Sequence, residues 1–163
     1  HLSLRRQRQM CIRDRNIRTL SNNPFFMSKI IQCFLTGYEK SCDIQTMFYI
    51  LPVILYKPSR ERLVNAKSSS SLYSLFGETI SKRSDLLGFV NRYDLLRELT
   101  VEAIIILASE SKIKINDSVS LFQKLPYKLK DKNIQEYLRA SFYLGKVLSN
   151  VNIIEFEKYV GVA

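Results

Sequence analysis

Side chains that could carry out chemistry are sparse in this chain and form no recognised catalytic pattern. The only histidine is His1, so beyond that position imidazole acid–base chemistry, catalytic triads and histidine metal sites lack their usual residue. The five glycines are isolated and form no phosphate-binding loop. Carboxylates such as Glu155 and Glu157 stand two residues apart, on different faces of a helix. We therefore expect a protein that is not an enzyme and that holds no cofactor or metal.

The cysteines also indicate a structural role. Cys33 and Cys42 stand nine residues apart, with no metal-ligand spacing around them. We expect reduced, half-buried thiols of the kind found in the cytoplasm. The longest apolar run, residues 47–56, is about half the length of a membrane span, and no signal peptide is visible. The sequence therefore predicts a cytoplasmic protein with no membrane or small-molecule partner.

The most basic stretch of the chain is RRQRQMCIRDR at positions 5–15. A nucleic-acid-binding arm and an organellar targeting peptide are two interpretations, but the stretch has no apolar residues at helical spacing. Back-translated, it matches one reading frame of the adapter used in transposase-based sequencing libraries. We therefore interpret residues 1–15 as a translated adapter and expect them to be disordered. Without their five arginines and one aspartate, the formal net charge falls from +10 to +6, which permits a nucleic-acid partner but does not require one.

Two groups of basic residues remain in residues 16–163. The first group, Lys57, Arg60 and Arg62, directly follows an apolar segment. The second group surrounds a predicted β-hairpin and consists of Lys112, Lys114, Lys124, Lys128, Lys130 and Lys132. The first four lysines of this second group are candidate contacts to phosphate, as in a wing that touches a DNA backbone. The alternative is a solvated loop, since the abundance of Lys, Ile, Asn, Ser and Tyr is what AT-rich codons produce.

The N-terminal segments that would position these residues are predicted to be helical. Asn22 or Asn23 can cap a first helix, with Pro24 at its first position. Residues 43–56 are long enough for a buried helix that bends or ends near Pro52. After a break at residues 57–58, a short basic helix is expected to restart. The inner face of the first helix is predicted to carry Phe26, Ile30, Cys33, Phe34 and Gly37.

The rest of the chain predicts further helices and one hairpin. Residues 72–80 have apolar side chains at helical spacing, Ser84 or Asp85 is expected to cap the next helix, and Thr100 the one after it. The alternation of apolar residues around Asn116-Asp117-Ser118 predicts a β-hairpin over residues 113–121. A long helix over residues 134–151 and a short one from residue 153 follow. The inner side of the long helix is predicted to carry Tyr137, Leu138, Ser141, Phe142, Gly145 and Leu148.

A helix that leads into a hairpin within an otherwise helical chain indicates the fold class. We predict a single domain over residues 16–163 that is mainly α with a small β-hairpin and is winged-helix-like. In a winged-helix regulator, the helix before the wing presents polar side chains to the DNA major groove. Here that helix contains AIIILA at 103–108, and a helix that is apolar on every side is buried. We therefore expect the domain to pack against protein rather than to read bases.

Several segments, taken in order, resemble a bacterial protein family. They are Asn23-Pro24, ILPVILYKPSRERL at 50–63, LTVEAIIILA at 99–108, YLRASFYLGKVLS at 137–149 and VGV at 160–162. This pattern is similar to that of the middle components of ABC-type three-component systems. It covers about residues 22–163, and the segment around KPSRE at 57–61 is its most specific part. Two positions depart from the family pattern, since Tyr56 stands where we expect histidine and Ser59 where we expect threonine.

The resemblance implies a small accessory protein without catalytic activity of its own. Its expected partners are an ABC-type ATPase of the SMC or DNA-repair kind and a third, effector-bearing component, both encoded nearby in a system directed against phage or plasmids. DNA is expected only through that complex. By motif position the family signature is Lys57, Pro58, Ser59, Arg60 and Glu61, which either contacts a partner or structures the fold. The alternative function is a winged-helix transcriptional regulator that binds DNA directly.

Overall fold

The computed structural model describes residues 22–128 and 131–162. Within these ranges the chain is mainly α-helical with one two-stranded antiparallel sheet, as the sequence predicts. The elements are α1 (Pro24–Tyr38), α2 (Ile44–Ile54), α3 (Lys57–Val64), a π-helical turn (Tyr73–Gly77), α4 (Ile80–Ser84), α5 (Phe89–Ser109), β1 (Ile113–Ile115), β2 (Val119–Leu121), α6 (Lys132–Leu148) and α7 (Ile153–Val160). The predicted adapter, residues 1–15, and Lys130 lie outside the described residues. None of the described helices is long and apolar enough to cross a membrane.

The first two helices begin and end where local chemistry predicts. Asn23 caps α1 and Pro24 follows at its first position, where a missing N–H costs nothing. Asp43 caps α2 in the same way. Proline inside α2 removes one hydrogen-bond donor from the helix, and α2 ends at Ile54, two residues after Pro52. The apolar residues of α1 and α2 form the centre of the core.

The helices α1 and α6 approach each other through two glycines. A Cβ atom on Gly145 would lie 2.2 Å from the carbonyl oxygen of Phe34, and one on Gly37 would lie 2.1 Å from that of Phe142. Ser141, next to this contact on α6, donates its hydroxyl to the Ile30 carbonyl at 2.7 Å. Since both glycines were predicted to lie on inner helix faces, the structure confirms their placement and shows why no larger residue fits there.

Predictions for residues 72–100 need correction. The α-helix expected over residues 72–80 is not formed; residues 73–77 form a single π-helical turn instead. Neither Ser84 nor Asp85 caps α5, which begins after Gly88 in the left-handed region (φ 70°). Ser84 ends α4, and the Asp85 carboxylate accepts a hydrogen bond from an arginine of α3. Thr100 lies inside α5, where its hydroxyl donates to the Leu96 carbonyl at 2.8 Å and therefore does not interrupt the helix.

The predicted hairpin is confirmed. Strands β1 and β2 are antiparallel, with Ile113 opposite Leu121 and Ile115 opposite Val119. Val119 also exchanges two backbone hydrogen bonds with Cys42, at 2.9 and 2.7 Å. The hairpin is thereby fixed to the segment between α1 and α2. The hairpin directly follows α5, as the winged-helix prediction expects, but the assignment to that class stays a prediction.

The expectation that α5 is buried on every side is wrong. Ala103, Ile104 and Leu107 are buried, whereas Ile105 is 60% exposed and Ala108 is also exposed. One face of α5 packs on α1 and α2, and the opposite face lies open. Because a helix that crosses a core on one side buries only one face, six consecutive apolar residues place some side chains in solvent.

Candidate functional site

The signature segment closes the C-terminal end of α2. A helix end leaves its last carbonyl groups without intrahelical partners, and an unpaired carbonyl is costly when buried. Here the Ser59 hydroxyl donates to the Val53 carbonyl at 2.5 Å, and Arg60 Nη1 donates to the carbonyls of Ile54 and Leu55 at 3.0 and 3.2 Å. Both side chains are buried. They satisfy the helix end and place a cation where the helix dipole favours one.

Arg60 also links α3 to α6. Its Nε donates to Glu136 Oε1 at 3.1 Å, and its guanidinium carbon lies 4.2 Å from the centroid of the Tyr137 ring. The Arg60 side chain is only 10% exposed, but the Glu136 side chain is 42% exposed, so water screens the ion pair more than the contact with the ring. Arg60 therefore joins α2, α3 and α6 in one network.

Arg92 of α5 completes this end of α2. Its Nε donates to the Pro52 carbonyl at 3.0 Å, and its Nη1 donates to the Leu87 carbonyl at 2.6 Å. Burial lowers the pKa of Arg92, and Nη2 has no hydrogen-bond partner among the described residues. The guanidinium carbon lies 3.9 Å from the centroid of the Tyr56 ring. A neutral aromatic ring attracts this cation, whereas a protonated histidine at the same position would repel it.

The remaining signature residues lie nearer the surface. Lys57 and Glu61 are exposed and pair with each other across one helical turn at 3.6 Å, a contact of small energetic value in water. Pro58 is half-buried in the first turn of α3, where no N–H is needed. Pro58 and Glu61 line an open pocket of about 440 Å³ between α3, the π-helical turn and α4. The signature thus contains two structural side chains, Ser59 and Arg60, and an exposed ion pair.

The four candidate phosphate contacts do not share one environment. Lys112 Nζ pairs with Glu110 Oε2 at 2.6 Å, whereas the other three side chains are exposed, namely Lys114, Lys124 and Lys128. Lys124 lines an open pocket of about 320 Å³ that also contains Glu39. A hydrogen bond from Lys146 lowers the pKa of Glu39, and the charge of Lys124 adds to this effect. The charged Glu39 carboxylate therefore offsets part of the positive charge at this pocket.

The two cysteines are fully buried rather than half-buried. The Cys33 thiol donates to the Leu138 carbonyl oxygen at 3.2 Å, and the Cys42 thiol donates to the Asp43 carbonyl oxygen at 3.5 Å. Burial raises the pKa of each thiol to about 12. Nucleophilic attack and metal binding both require the thiolate, which is scarce at neutral pH under these conditions. Within the described residues, no group of His, Cys, Asp or Glu side chains is arranged to hold a metal ion.

We expect these two thiols to react slowly in the folded protein. The variant Cys11→Ser isolates them, since the chain has three cysteines. At mildly alkaline pH, a disulfide reagent should label folded Cys33 and Cys42 at least about 30-fold more slowly than the guanidine-unfolded chain, because the raised pKa removes most of the thiolate and its higher nucleophilicity regains only part of the rate. Equal labelling rates in the folded and unfolded protein would contradict their burial.

A different surface, the outer face of α5, exposes four apolar side chains. They are Leu95 (81% exposed), Ile105 (60%), Val90 (44%) and Val101 (40%), and we call them the outer apolar row. At 100° per residue, all four fall within about 140° of the helix circumference. Exposed apolar side chains that are scattered singly need no explanation, whereas several on one helix face make that face a candidate for contact with a partner.

Three carboxylates share this face with the outer apolar row. Asp94, Glu98 and Glu102 are exposed and follow one another at intervals of four residues. None of the three forms an ion pair with any residue in 22–128 or 131–162. Arg97 is exposed at the edge of this face, and Arg92 is turned toward α2. Like charges at this spacing destabilise a helix by about 0.2–0.5 kcal/mol per pair, so the carboxylates act against the stability of α5 in the free chain.

Apolar residue type alone does not reveal this surface, because α5 carries both buried and exposed apolar side chains. The available signal was the spacing of Asp94, Glu98 and Glu102, which marks the solvent-facing side of α5. Val101 and Ile105 lie on the same side, three and seven residues after Glu98. Apolar residues beside a line of charged ones predict an exposed, unpartnered surface.

Comparison with known proteins reveals one family. The family model described as ABC-three component (ABC-3C) system Middle Component 3 matches residues 12–163. No curated protein and no solved structure matches the chain. The matched range includes the signature segment at 57–61 and the whole of α5. As the resemblance in its sequence indicates, the chain belongs to the Middle Component 3 family of ABC-three component systems.

Proposed function

We propose that this chain is a non-catalytic adaptor that bridges or regulates the SMC- or repair-type ABC ATPase of its three-component system. The system is a bacterial complex directed against phage or plasmids, and its third, effector-bearing component is the other partner. The complex acts in the cytoplasm and needs no membrane or small-molecule substrate. The observation that carries this proposal is the outer apolar row on α5.

The outer apolar row supplies the attraction that an adaptor needs. Burying one Leu or Ile side chain against a partner contributes about 1.5–3 kcal/mol, and a few such residues hold most protein interfaces together. Leu95 and Ile105 are the two most exposed members of the row and are the expected centre of the contact. At 100° per residue, Glu98 and Glu102 fall between Ile105 and Leu95 on the helix circumference, so the contact combines apolar and charged side chains.

We assign no chemistry to the chain itself. A serine nucleophile needs an adjacent base, and the Ser59 hydroxyl instead donates to the Val53 carbonyl inside the fold. The thiols of Cys33 and Cys42 are buried with a raised pKa. An accessory subunit that acts through contacts alone agrees with these environments.

The alternative function, a winged-helix regulator that reads DNA with α5, has weaker support. A helix in the major groove presents polar and basic side chains to bases and phosphates. The outer face of α5 would present Asp94, Glu98 and Glu102, which phosphates repel. The exposed lysines around the hairpin are compatible with a contact to the DNA backbone after the complex has assembled.

Co-expression with the ABC ATPase and the third component encoded nearby tests the adaptor function. We expect the chain to co-purify with the ATPase. The double variant Leu95→Ser/Ile105→Ser should bind about 30-fold more weakly or worse in a titration, because each truncated interface residue costs about 1 kcal/mol or more. Both side chains are exposed in the free chain, so the melting temperature should stay unchanged.

Ile80→Ser is the matched control for this experiment. Ile80 is 87% exposed and equally apolar, but it lies on α4. This variant should bind like the wild type. If the chain binds no ATPase, yet binds duplex DNA in a gel-shift assay with a steep dependence on salt, the adaptor function is wrong and the DNA-binding regulator is the better explanation.

A further inference from the structure

The outer apolar row has the length of a docked helix. Val90 and Ile105 are fifteen residues apart, which corresponds to about 22 Å along α5 at 1.5 Å per residue. Leu95 and Val101 lie between them, and all four side chains are exposed. A second helix of about fifteen residues laid along α5 would match the length of the row.

The charges beside the row decide which kind of helix can cover it. Asp94, Glu98 and Glu102 are exposed and have no ion-pair partner within residues 22–128 and 131–162. An acidic segment would be repelled. A neutral apolar segment would remove water from the carboxylates without offering them a hydrogen-bond donor or a positive charge in its place. Lys and Arg side chains pair with carboxylates while their aliphatic stems cover apolar neighbours. The complementary segment is therefore basic.

A second copy of this chain is a poor occupant of the same face. In a two-fold contact through α5, the same patch faces itself. The line of carboxylates from Asp94 to Glu102 would then meet its own copy, and like charges across an interface oppose association. The acidic line thus favours a different subunit.

On these grounds we propose that the outer face of α5 binds a basic amphipathic helix of a partner subunit. The apolar side chains of that helix recur at i, i+3, i+4 and i+7 and contact Val90, Leu95, Val101 and Ile105. Its lysines or arginines alternate with the apolar positions and pair with Asp94, Glu98 and Glu102, which on α5 lie among the apolar side chains. This inference rests on the proposed adaptor function and names the chemistry of the partner segment.

The neutral variant Asp94→Asn/Glu98→Gln/Glu102→Gln tests the inference in the complex of intact subunits. We expect about tenfold weaker affinity at low salt, and a flatter dependence of affinity on NaCl concentration than the wild type shows. The free variant should be at least as stable as the wild type, since two like-charge pairs are removed. Glu155→Gln on α7, another exposed carboxylate, is the control and should bind like the wild type.

A carbodiimide, which joins a carboxylate to an amine in contact with it, gives an independent readout on the same complex. Mass spectrometry should place crosslinks from Asp94, Glu98 or Glu102 in a partner segment with helical apolar spacing. If the neutral variant keeps the wild-type affinity and salt dependence, the proposal that the partner segment is a basic helix is wrong. If Leu95→Ser/Ile105→Ser still weakens that complex, the adaptor function stands and only the basic helix is excluded. If neither variant changes binding, the α5 surface itself is excluded.

Discussion

Gly145→Ala is expected to destabilise the protein by about 3 kcal/mol or more and to lower its melting temperature by roughly 10 °C. A Cβ atom at this position would lie 2.2 Å from the backbone oxygen of Phe34 and 2.8 Å from the backbone nitrogen of Tyr38. Backbone atoms inside a helix cannot turn away as a side chain can, so α1 and α6 must move apart. Thermal and urea denaturation of the purified variant would measure the loss.

Gly77→Ala is the matched control for this prediction. Its Cβ would also meet close neighbours, at 2.7 Å for a Tyr73 ring carbon and 2.8 Å for the Tyr159 hydroxyl oxygen. Both neighbours are ends of side chains that can rotate, and Tyr73 is largely exposed. We expect a loss of about 1 kcal/mol or less. Equal losses for the two variants would show that the contact between α1 and α6 does not limit stability.

Arg60→Ala is expected to cost about 3–4 kcal/mol of folding free energy. The variant leaves the buried carbonyl group of Ile54 and the part-buried one of Leu55 without their side-chain donor, and a buried unpaired group costs about 1–3 kcal/mol. It also removes the ion pair to Glu136 and the contact with the Tyr137 ring. Urea denaturation should show a lower midpoint with an unchanged slope, because the loss is one of stability and not of compactness.

Lys57→Ala separates a structural signature from a partner contact. Lys57 is three residues before Arg60 in the same helix, but its side chain is 74% exposed and pairs only weakly with Glu61. We expect a stability change within about 0.5 kcal/mol and an unchanged affinity for the ATPase. If Arg60→Ala keeps the wild-type stability and yet no longer binds the ATPase, the signature segment is a binding site and the interpretation of Arg60 as a structural residue is wrong.

The parts of the fold that the sequence predicts are those decided by local chemistry. Asn23 and Pro24 begin α1, because their side chains suit a helix start and no other part of the protein is needed. Pro52 limits α2, since a proline lacks the backbone donor. The turn residues between Ile115 and Val119 close the hairpin. The inner faces of α1 and α6 follow from apolar periodicity, including the position of both glycines.

The parts that the sequence does not predict depend on distant groups. Thr100 resembles a helix cap, but in the middle of α5 its hydroxyl is satisfied by the Leu96 carbonyl. The role of Arg60 depends on carbonyls that become unpaired only because α2 ends beside it. Likewise, the exposure of Leu95 and Ile105 depends on how α5 lies across the core. Each of these features requires the tertiary arrangement, which local residue preferences do not contain.

A photo-crosslinking amino acid placed at single positions tests the central claim most directly, namely that partners bind the outer face of α5 and not the signature segment. The positions are 95 and 105 on that face, 57 in the signature and 80 on α4, all of which are exposed in the free chain. After irradiation of the co-expressed three-component complex, positions 95 and 105 should crosslink to a partner subunit, and positions 57 and 80 should not. Crosslinks from position 57, with none from 95 or 105, would contradict the account.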